Sequence, residues 1–157
     1  MLFGDVIGID LLVAKSADAS SFYGSDPTGS LGPAKAIDND LDTTFASNPH
    51  DRDPWFQIEL EYVAAINKVI IHNRRNCCGD RMKNVALRVG LTKFTKGMEL
   101  NNNEICATYQ GPGSDGEEII MNCSSTMIGQ YVSIHLMLDT PGYLNFNQLM
   151  IYGHACK

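Results

Sequence analysis

The sequence lacks several features that would point to common classes of protein. No stretch of its 157 residues approaches the roughly twenty consecutive apolar residues that a membrane-spanning helix requires. It also lacks an excess of positive charge, since its formal net charge is -6 at pH 7. A surface with this average charge repels both a phosphate backbone and an anionic membrane. We therefore expect neither nucleic-acid binding nor membrane insertion, and a neutral ligand suits the charge better.

Long helical periodicity with capping residues is also missing. Short segments alternate between apolar and polar residues instead, and turn-forming residues separate them. Val85, Leu87 and Val89, for example, share one face of a predicted strand, while Ala86 and Arg88 share the other. This pattern predicts an all-β fold, namely a sandwich of antiparallel strands. The predicted strands are residues 54–60, 66–73, 84–90, 117–123, 130–137 and 147–153.

The length and composition indicate one domain with a core of its own. A chain of 157 residues with 44% hydrophobic residues can bury an adequate core without relying on disulfides alone. No internal repeat, linker-like tract or second composition zone divides it. We expect residues 1–9 to be an N-terminal extension and residues 10–157 to form the domain.

Five cysteines, two of them adjacent, indicate a disulfide framework and hence a secreted, extracellular protein. Cys106 and Cys123 flank a turn-rich stretch, as expected of a disulfide that closes a loop. Cys77 and Cys78 leave two possibilities open. Neighbouring Cα atoms lie about 3.8 Å apart, below the usual disulfide range of about 4.4–6.8 Å, so the two cysteines either form a strained bond or pair with distant partners.

The segment HNRRNCCGDRMK, residues 72–83, places three arginines around the adjacent cysteines. Together with an upstream histidine it resembles the motif of the F-type lectin, or fucolectin, family: His, a long spacer, Arg-x-Asp, four residues, then Arg or Lys. This sequence supplies His50, Arg74, Asn76 and Arg81. It departs from the family in a spacer three residues shorter than usual and in Asn76, which stands where Asp is normal. The resemblance spans roughly residues 10–153 and includes AKAIDNDLDTTF at 34–45.

The resemblance implies an eight-stranded antiparallel β-sandwich of the jelly-roll, discoidin-like type that works as a non-enzymatic lectin for terminal L-fucose. Arg74 and Arg81 would donate from planar guanidinium forks, with His50 and Asn76 completing the polar contacts. By the same resemblance, Cys77 and Cys78 form a vicinal disulfide that serves as a flat plate against the sugar ring, and Cys106 pairs with Cys123. The partners implied are fucosylated glycans, bound by a homo-oligomer, a trimer or dimer, in a secreted agglutinin that serves innate immunity or gamete recognition.

Phe45 matches a family aromatic that lines the pocket for the fucose methyl group. Ordinary core packing is the alternative interpretation of this residue, because buried aromatic side chains dominate cores. Both interpretations stay open at the level of sequence.

The resemblance also implies a structural Ca²⁺ site. Asp38, Asp40 and Asp42 alternate as in an EF-hand, but the sixth position is Thr43 rather than glycine and the twelfth is Pro49 rather than glutamate. The family instead uses carbonyl and side-chain oxygens from this turn and the last strand. A solvated turn without metal is the alternative. The matching positions are Lys35, Asp38, Asp40, Ser47, Asn147 and Gln148.

Two other functions compete with the lectin interpretation. A discoidin-like domain could bind phospholipid or a protein surface through its loops, although no exposed apolar cluster is evident in them. An enzyme would need opposed carboxylates or a free thiolate beside a histidine, and no motif supplies either. One further motif stands apart: Asn122-Cys123-Ser124 matches the acceptor sequence for N-glycosylation.

Overall fold

The computed structural model describes residues 9–26, 28–98, 101–137, 139 and 141–157. Apart from Ile9, the predicted N-terminal extension lies outside the described residues. No helix within the described ranges is long and apolar enough to cross a membrane.

The described residues form eight strands and two short 3-10 turns, and every strand pair is antiparallel. The predicted all-β, eight-stranded antiparallel fold is therefore confirmed. The strands are β1 (Asp10–Leu11), β2 (Ala14–Ala19), β3 (Phe45–Ala46), β4 (Trp55–Asn73), β5 (Val85–Gly90), β6 (Glu104–Tyr109), β7 (Glu118–Leu136) and β8 (Asn145–Ala155), with turns η1 (Pro33–Ala36) and η2 (Gly79–Arg81).

Two strands of 19 residues each, β4 and β7, run through both layers of the sandwich. The first half of β4 pairs with β2 and with the second half of β7, where Trp55 lies opposite His135. Its second half pairs with β8 and with the first half of β7, where Ile71 lies opposite Ile119. Register shifts between the halves let both strands bend, because a bulge increases local twist. The strands predicted at residues 54–60 and 66–73 are therefore the two halves of β4, and those predicted at 117–123 and 130–137 are the two halves of β7.

The core lies between these two layers. Phe56 and Ile58 from the first half of β4 and Val69 and Ile71 from the second half are all buried in one cluster. The alternating pattern of each half explains this arrangement, since every second side chain points inward. Trp55, at the start of β4, is 4% exposed and packs edge-on against Phe94. It is a core residue, as its position at the start of an alternating strand indicates.

The strands leave several loops at the end of the sandwich where β4 ends and β5 begins. Gly142 N–H donates to Asp51 O across 3.0 Å, which joins the loop after β3 to the loop before β8. Gly116 N–H donates to Arg74 O across 2.8 Å, which joins the loop before β7 to the loop after β4. The chain thus brings segments that are distant in sequence together at one end.

Candidate functional site

The arginine loop, residues 74–83, follows β4 directly and contains the adjacent cysteines. Cys77 and Cys78 are disulfide-bonded to each other, and their Cα atoms lie 3.7 Å apart. Cys78 adopts a left-handed backbone with φ 68°, and the η2 turn begins at the next residue, Gly79. Both cysteines are half-buried, so one side of the disulfide faces solvent. The second pair, Cys106 and Cys123, joins β6 to β7 with a Cα–Cα distance of 4.5 Å.

A second segment, the bracing loop of residues 111–117, is hydrogen-bonded to the arginine loop. Gly79 N–H donates to Asp115 Oδ1 across 2.8 Å, and Gly113 N–H donates to Met82 O across 2.9 Å. With the bond from Gly116 N–H to Arg74 O, the start, middle and end of the arginine loop are each fixed. Satisfied backbone groups of this kind hold a loop in one conformation.

Asn73 and Gly79 make the close contact between these two loops possible. The fully buried Asn73 donates from Nδ2 to Gly79 O across 2.9 Å and to Ser114 O across 3.0 Å. A Cβ atom on Gly79 would lie 2.5–2.6 Å from backbone atoms of Ser114 and Asp115. No side chain fits there, so glycine is required for the approach.

The structure places Arg74, Asn76 and Arg81 together in the arginine loop. Arg74 Nε donates to Asn76 Oδ1 across 2.8 Å, so the amide supplies the acceptor that aspartate would otherwise provide. The guanidinium carbon of Arg81 lies 4.1 Å from the ring centroid of Tyr143, a cation–π distance. Each arginine is therefore oriented by a neighbouring side chain.

His50 lies in the histidine loop, residues 47–53, where it is exposed. Its backbone N–H donates to Asn48 Oδ1 across 2.9 Å. The loop is fixed by Asp51, whose Oδ2 accepts hydrogen bonds from the hydroxyls of Ser20 and Ser21 across 2.6 Å each. Asp51 O also accepts from Gly142 N–H, next to the tyrosine that contacts Arg81. The histidine loop and the arginine loop are thus linked through one short segment.

Phe45 does not line an open pocket. Its side chain is fully buried, with ring centroids 5.1 Å from Phe56 and 5.6 Å from Phe146. The interpretation of Phe45 as a wall for the fucose methyl group is therefore wrong for this structure, and the core interpretation is the one observed. The physical reason is that β3 pairs with β8, which turns Phe45 inward beside Phe146.

The acceptor turn, residues 35–43, concentrates oxygen atoms around one hydroxyl. Thr43 Oγ1 lies 2.7–2.9 Å from Lys35 O, from both carboxylate oxygens of Asp38 and from Asp40 O. The buried Gln148 reaches the same atoms, with Nε2 at 2.7 Å from Lys35 O, 2.5 Å from Asp38 Oδ1 and 2.9 Å from Asp40 O. Of the residues matched to a calcium site, Lys35, Asp38, Asp40 and Gln148 are therefore brought together.

The side chains of two other residues matched to that site have different hydrogen-bond partners. The hydroxyl of Ser47 accepts from Leu144 N–H across 2.8 Å and is used in pairing β3 with β8. The side chain of Asn147 bonds to Leu41 O and Thr44 Oγ1. The prediction that Ser47 and Asn147 contribute oxygens to a cation stays a prediction. Thr43 adds an oxygen that the sequence did not predict.

Comparison with known proteins agrees with the fold and the motif. Residues 35–134 match the family described as NedA-like, galactose-binding domain. The chain belongs to this family. It is 35% identical over 109 residues to fucolectin-5 of Anguilla japonica, covering 66% of this chain and 56% of that relative. It is 32% identical over 108 residues to the fucolectin of Anguilla anguilla, covering 66% of each. The chain thus spans little more than half the length of some curated relatives.

Solved structures give the same fold for this family member. The F-lectin from striped bass serum superposes with a TM-score of 0.75 at 18% identity, covering 89% of this chain and 47% of the bass chain. The fucolectin relatives confirm the predicted resemblance to F-type lectins. The relatives are lectins, which confirms the prediction of a binding domain rather than an enzyme.

Three residues of these loops were not predicted as site residues from the sequence: Thr43, Asp115 and Tyr143. Thr43 follows the aspartates of the acceptor turn, so its hydroxyl, five residues after Asp38, could have indicated it. Asp115 and Tyr143 lie in Gly-rich and Pro-rich loops with no pattern of their own. Their roles depend on which loops meet in space, so no local signal could have identified them.

Four surface depressions in the described residues are lined by segments other than the arginine loop, for example by Leu12, Tyr62 and His154 near the chain termini. Within the described ranges, no group of three or more His, Cys, Asp or Glu side chains could hold a metal ion. The acceptor turn differs from such a group because most of its oxygens are carbonyl, hydroxyl or amide oxygens.

Proposed function

We propose that this domain is a secreted lectin that binds terminal L-fucose on glycans through the arginine loop. The observation that carries the proposal is that Arg74, Asn76, Arg81 and the bonded cysteines lie within one braced loop. Family membership and the fucolectin relatives support carbohydrate binding in general. The choice of fucose rests on the local chemistry of the loop and on the relatives' names.

Arginine forks suit a hydroxylated sugar because they present several donors in a fixed plane. Arg74 uses Nε on Asn76, which leaves its terminal nitrogens for a ligand. The stacking of Arg81 on Tyr143 fixes its plane without using a donor. The exposed imidazole of His50 would add one further hydrogen bond. Fixed donors cost little ordering entropy when the sugar binds.

The Cys77–Cys78 disulfide is proposed as the apolar plate against the sugar ring. Fucose has an apolar side with a methyl group, and a receptor for it needs a flat surface that does not compete for hydrogen bonds. The disulfide is half-exposed, and the residue after it, Gly79, donates its backbone N–H to Asp115. Phe45 is buried and cannot contact a sugar, so the disulfide would supply the apolar contact. A single sugar site binds weakly because sugar hydroxyls also bond well to water, so avidity would come from a homo-oligomer, a trimer or dimer.

We also propose that the acceptor turn binds Ca²⁺, and its donor set fits a hard cation. Thr43 carries one hydroxyl hydrogen, yet four acceptor oxygens lie within 2.9 Å of its oxygen. Three of these oxygens also lie 2.5–2.9 Å from Gln148 Nε2. A cluster of oxygens that includes a carboxylate favours a positive charge at its centre. Lys35 O, Asp38, Asp40 O and Thr43 would be ligands, and Gln148 would present Oε1 by turning its amide, at the cost of its 3.2 Å bond from Asn39 N–H. A bound cation would fix the turn.

Calorimetric titration of the oxidised chain with L-fucose and with galactose tests the sugar proposal. We expect saturable fucose binding that weakens about tenfold to a hundredfold in Arg74→Ala, the range for losing hydrogen bonds from a charged group. Arg75→Ala is the matched control, because Arg75 Nη1 bonds to Asp42 across 3.1 Å and lies outside the proposed contacts. Folded protein that binds galactose but not fucose would overturn the choice of sugar. Equal weakening by both substitutions would overturn the site.

A further inference from the structure

Asn122-Cys123-Ser124 is a feature of the sequence that sugar recognition does not explain. It is the one place in the 157 residues where Asn is followed two residues later by Ser or Thr with no intervening Pro. Such a tripeptide is the acceptor for N-glycosylation in secreted proteins. Whether it can be used depends on where the asparagine points in the folded domain.

The structure places Asn122 on the outer face of the sandwich. It lies in β7, where its neighbour Met121 is 3% exposed and points into the core, while Asn122 itself is exposed. In the register of the sheet it faces Lys68 of β4. Within the described residues, no hydrogen bond engages its side-chain amide. A glycan on this nitrogen would therefore displace no contact and would project into solvent.

The middle residue of the tripeptide is compatible with the modification. Cys123 is bonded to Cys106, and alternation along the strand turns its side chain away from the face that carries Asn122 and Ser124. The transferase acts on the unfolded chain, so the fold needs only to accommodate the product.

An exposed apolar side chain lies near Asn122 on the outer face. Ile120, two residues earlier on the same side of β7, is 53% exposed. Its register neighbour Ile70 is 8% exposed and lies opposite the half-buried Met150 of β8. Beside them, Lys68 Nζ lies 5.3 Å from the ring centroid of Tyr152. An exposed apolar side chain on a sheet promotes association, and a bulky hydrophilic group next to it shields it.

The position is also separated from the proposed sugar site. Glu118 pairs with His72 near the end of β4 that leads into the arginine loop, and Asn122 lies four residues further along β7. At about 3.3 Å per residue this is a separation of about 13 Å. A glycan at Asn122 would leave the arginine loop accessible.

We propose that Asn122 is an N-glycosylation site whose glycan covers the outer face of β7 and β4. In the reaction, Asn122 Nδ2 forms a bond to the anomeric carbon of a lipid-diphosphate-linked oligosaccharide. The bond from that carbon to the diphosphate oxygen breaks, the lipid diphosphate leaves with the electron pair, and the amide loses one proton. The proposal rests on the proposed secretion, by a eukaryotic secretory route, and does not depend on fucose binding.

Secretion of the full chain from eukaryotic cells behind a leader peptide tests the site, with a second secreted glycoprotein as the positive control. We expect most wild-type chains to carry extra mass that peptide N-glycosidase removes, leaving aspartate at position 122 in the peptide mass. Ser124→Ala should abolish the shift, whereas Ser125→Ala, an adjacent exposed serine outside the tripeptide, should retain it. An unmodified wild-type chain beside a glycosylated control protein would overturn the proposal. Modification that appears only in Cys106→Ser would also overturn it, because formation of the Cys106–Cys123 disulfide would then prevent glycosylation of the wild-type chain.

A titration with fucose separates this proposal from the lectin proposal. We expect glycosylated wild type and unglycosylated Ser124→Ala to show the same dissociation constant within about twofold, since the two sites are apart. Failure of both proteins to bind fucose would count against the lectin proposal alone. A more than tenfold gain in affinity on removing the glycan would contradict the separation of the two sites.

Discussion

The arginine loop and the acceptor turn are both polar, but they differ in how their polar groups are satisfied. In the arginine loop, Gly79 N–H and Met82 O each have one protein partner, and Gly79 O accepts from both Asn73 Nδ2 and Met82 N–H. In the acceptor turn, the single hydroxyl hydrogen of Thr43 faces four oxygens. The polar backbone groups named in the first loop find partners within the protein, and the arginines of that loop present donors to solvent. The second crowds these oxygens around one hydroxyl and the side-chain amide of Gln148, and the proposed cation would neutralise that crowding.

This difference indicates what should control each region. A loop braced by internal hydrogen bonds should respond to changes in its supporting residues and be indifferent to ions. A turn with surplus acceptors should respond to a divalent cation and to the loss of its carboxylate. The predictions below test whether the two regions are as independent as this comparison implies.

The largest effect is expected for Gly79→Ala. Its Cβ would lie 2.5–2.6 Å from backbone atoms of Ser114 and Asp115, so one of the two loops must move. Overpacking of this kind costs about 1–3 kcal/mol of unfolding free energy, and displacement of the arginine loop should abolish fucose binding. Urea denaturation and calorimetry measure the two effects. Asp80→Ala, an exposed residue of the same turn, should leave stability within about 0.5 kcal/mol. Fucose binding that survives in Gly79→Ala would show that the bracing is unnecessary.

Calcium should produce the next largest effect, through the acceptor turn. With Asp38 as the carboxylate in the cluster, we expect a dissociation constant of about 10⁻⁴ M, as in extracellular sites with few charged ligands. At 10 mM Ca²⁺ this gives about 2.7 kcal/mol of stabilisation, or a melting temperature about 5–10 °C higher. Thermal denaturation with and without Ca²⁺ measures it, with Mg²⁺ at equal concentration as the ionic control.

Two aspartates of the acceptor turn provide matched variants for that measurement. Asp38→Asn should remove the calcium-dependent shift, because it removes the carboxylate next to Thr43. Asp42→Asn should retain it, because the carboxylate of Asp42 bonds to Arg75 instead. If neither variant changes the shift, calcium acts elsewhere, and if wild type shows no shift, the turn is not a calcium site.

Asp115→Ala should weaken fucose binding about tenfold. It removes the acceptor of Gly79 N–H, a hydrogen bond to a charged group worth about 1.5 kcal/mol at the low end. Asp115→Asn keeps an acceptor oxygen and should recover most of the affinity. Amide hydrogen exchange at Gly79 gives a readout without sugar and should accelerate in the alanine variant only. Unchanged exchange at Gly79 in Asp115→Ala would contradict the bracing role whether or not the domain binds fucose.

The sequence was sufficient for most of the fold because alternation along each strand reports burial directly. Residues 84–90 alternate cleanly, and β5 runs from Val85 to Gly90. The merging of predicted strands into β4 was not predictable, since the turn signals between residues 60 and 66 are weak and only pairing with β7 and β8 shows that the strand continues. Motif residues within one loop, such as Arg74 and Arg81, were also accessible, because their proximity follows from sequence spacing.

A contact between distant segments accounts for the prediction that failed. Whether Phe45 faces a pocket or the core depends on the pairing of β3 with β8. The inclusion of Thr43 in the oxygen cluster depends on the left-handed backbone of Asn39, φ 60°, which turns the chain between Asp38 and Asp40. Neither feature has a local signature that distinguishes the alternatives.

The smallest effect is expected where the two regions touch. Arg75 Nη1 lies 3.1 Å from Asp42 Oδ1, which joins the arginine loop to the acceptor turn, but the two side chains are 55% and 86% exposed. Exposed ion pairs contribute at most about 1 kcal/mol because water and salt screen them. In wild type and in Arg75→Ala, calcium should therefore change the fucose dissociation constant by less than about fivefold, and the substitution should alter that ratio by less than about twofold. A calcium effect that is large in wild type and lost in Arg75→Ala would mean that this one contact couples the cation to the sugar. The two regions would then act as a single site, against the independence that their different hydrogen bonding implies.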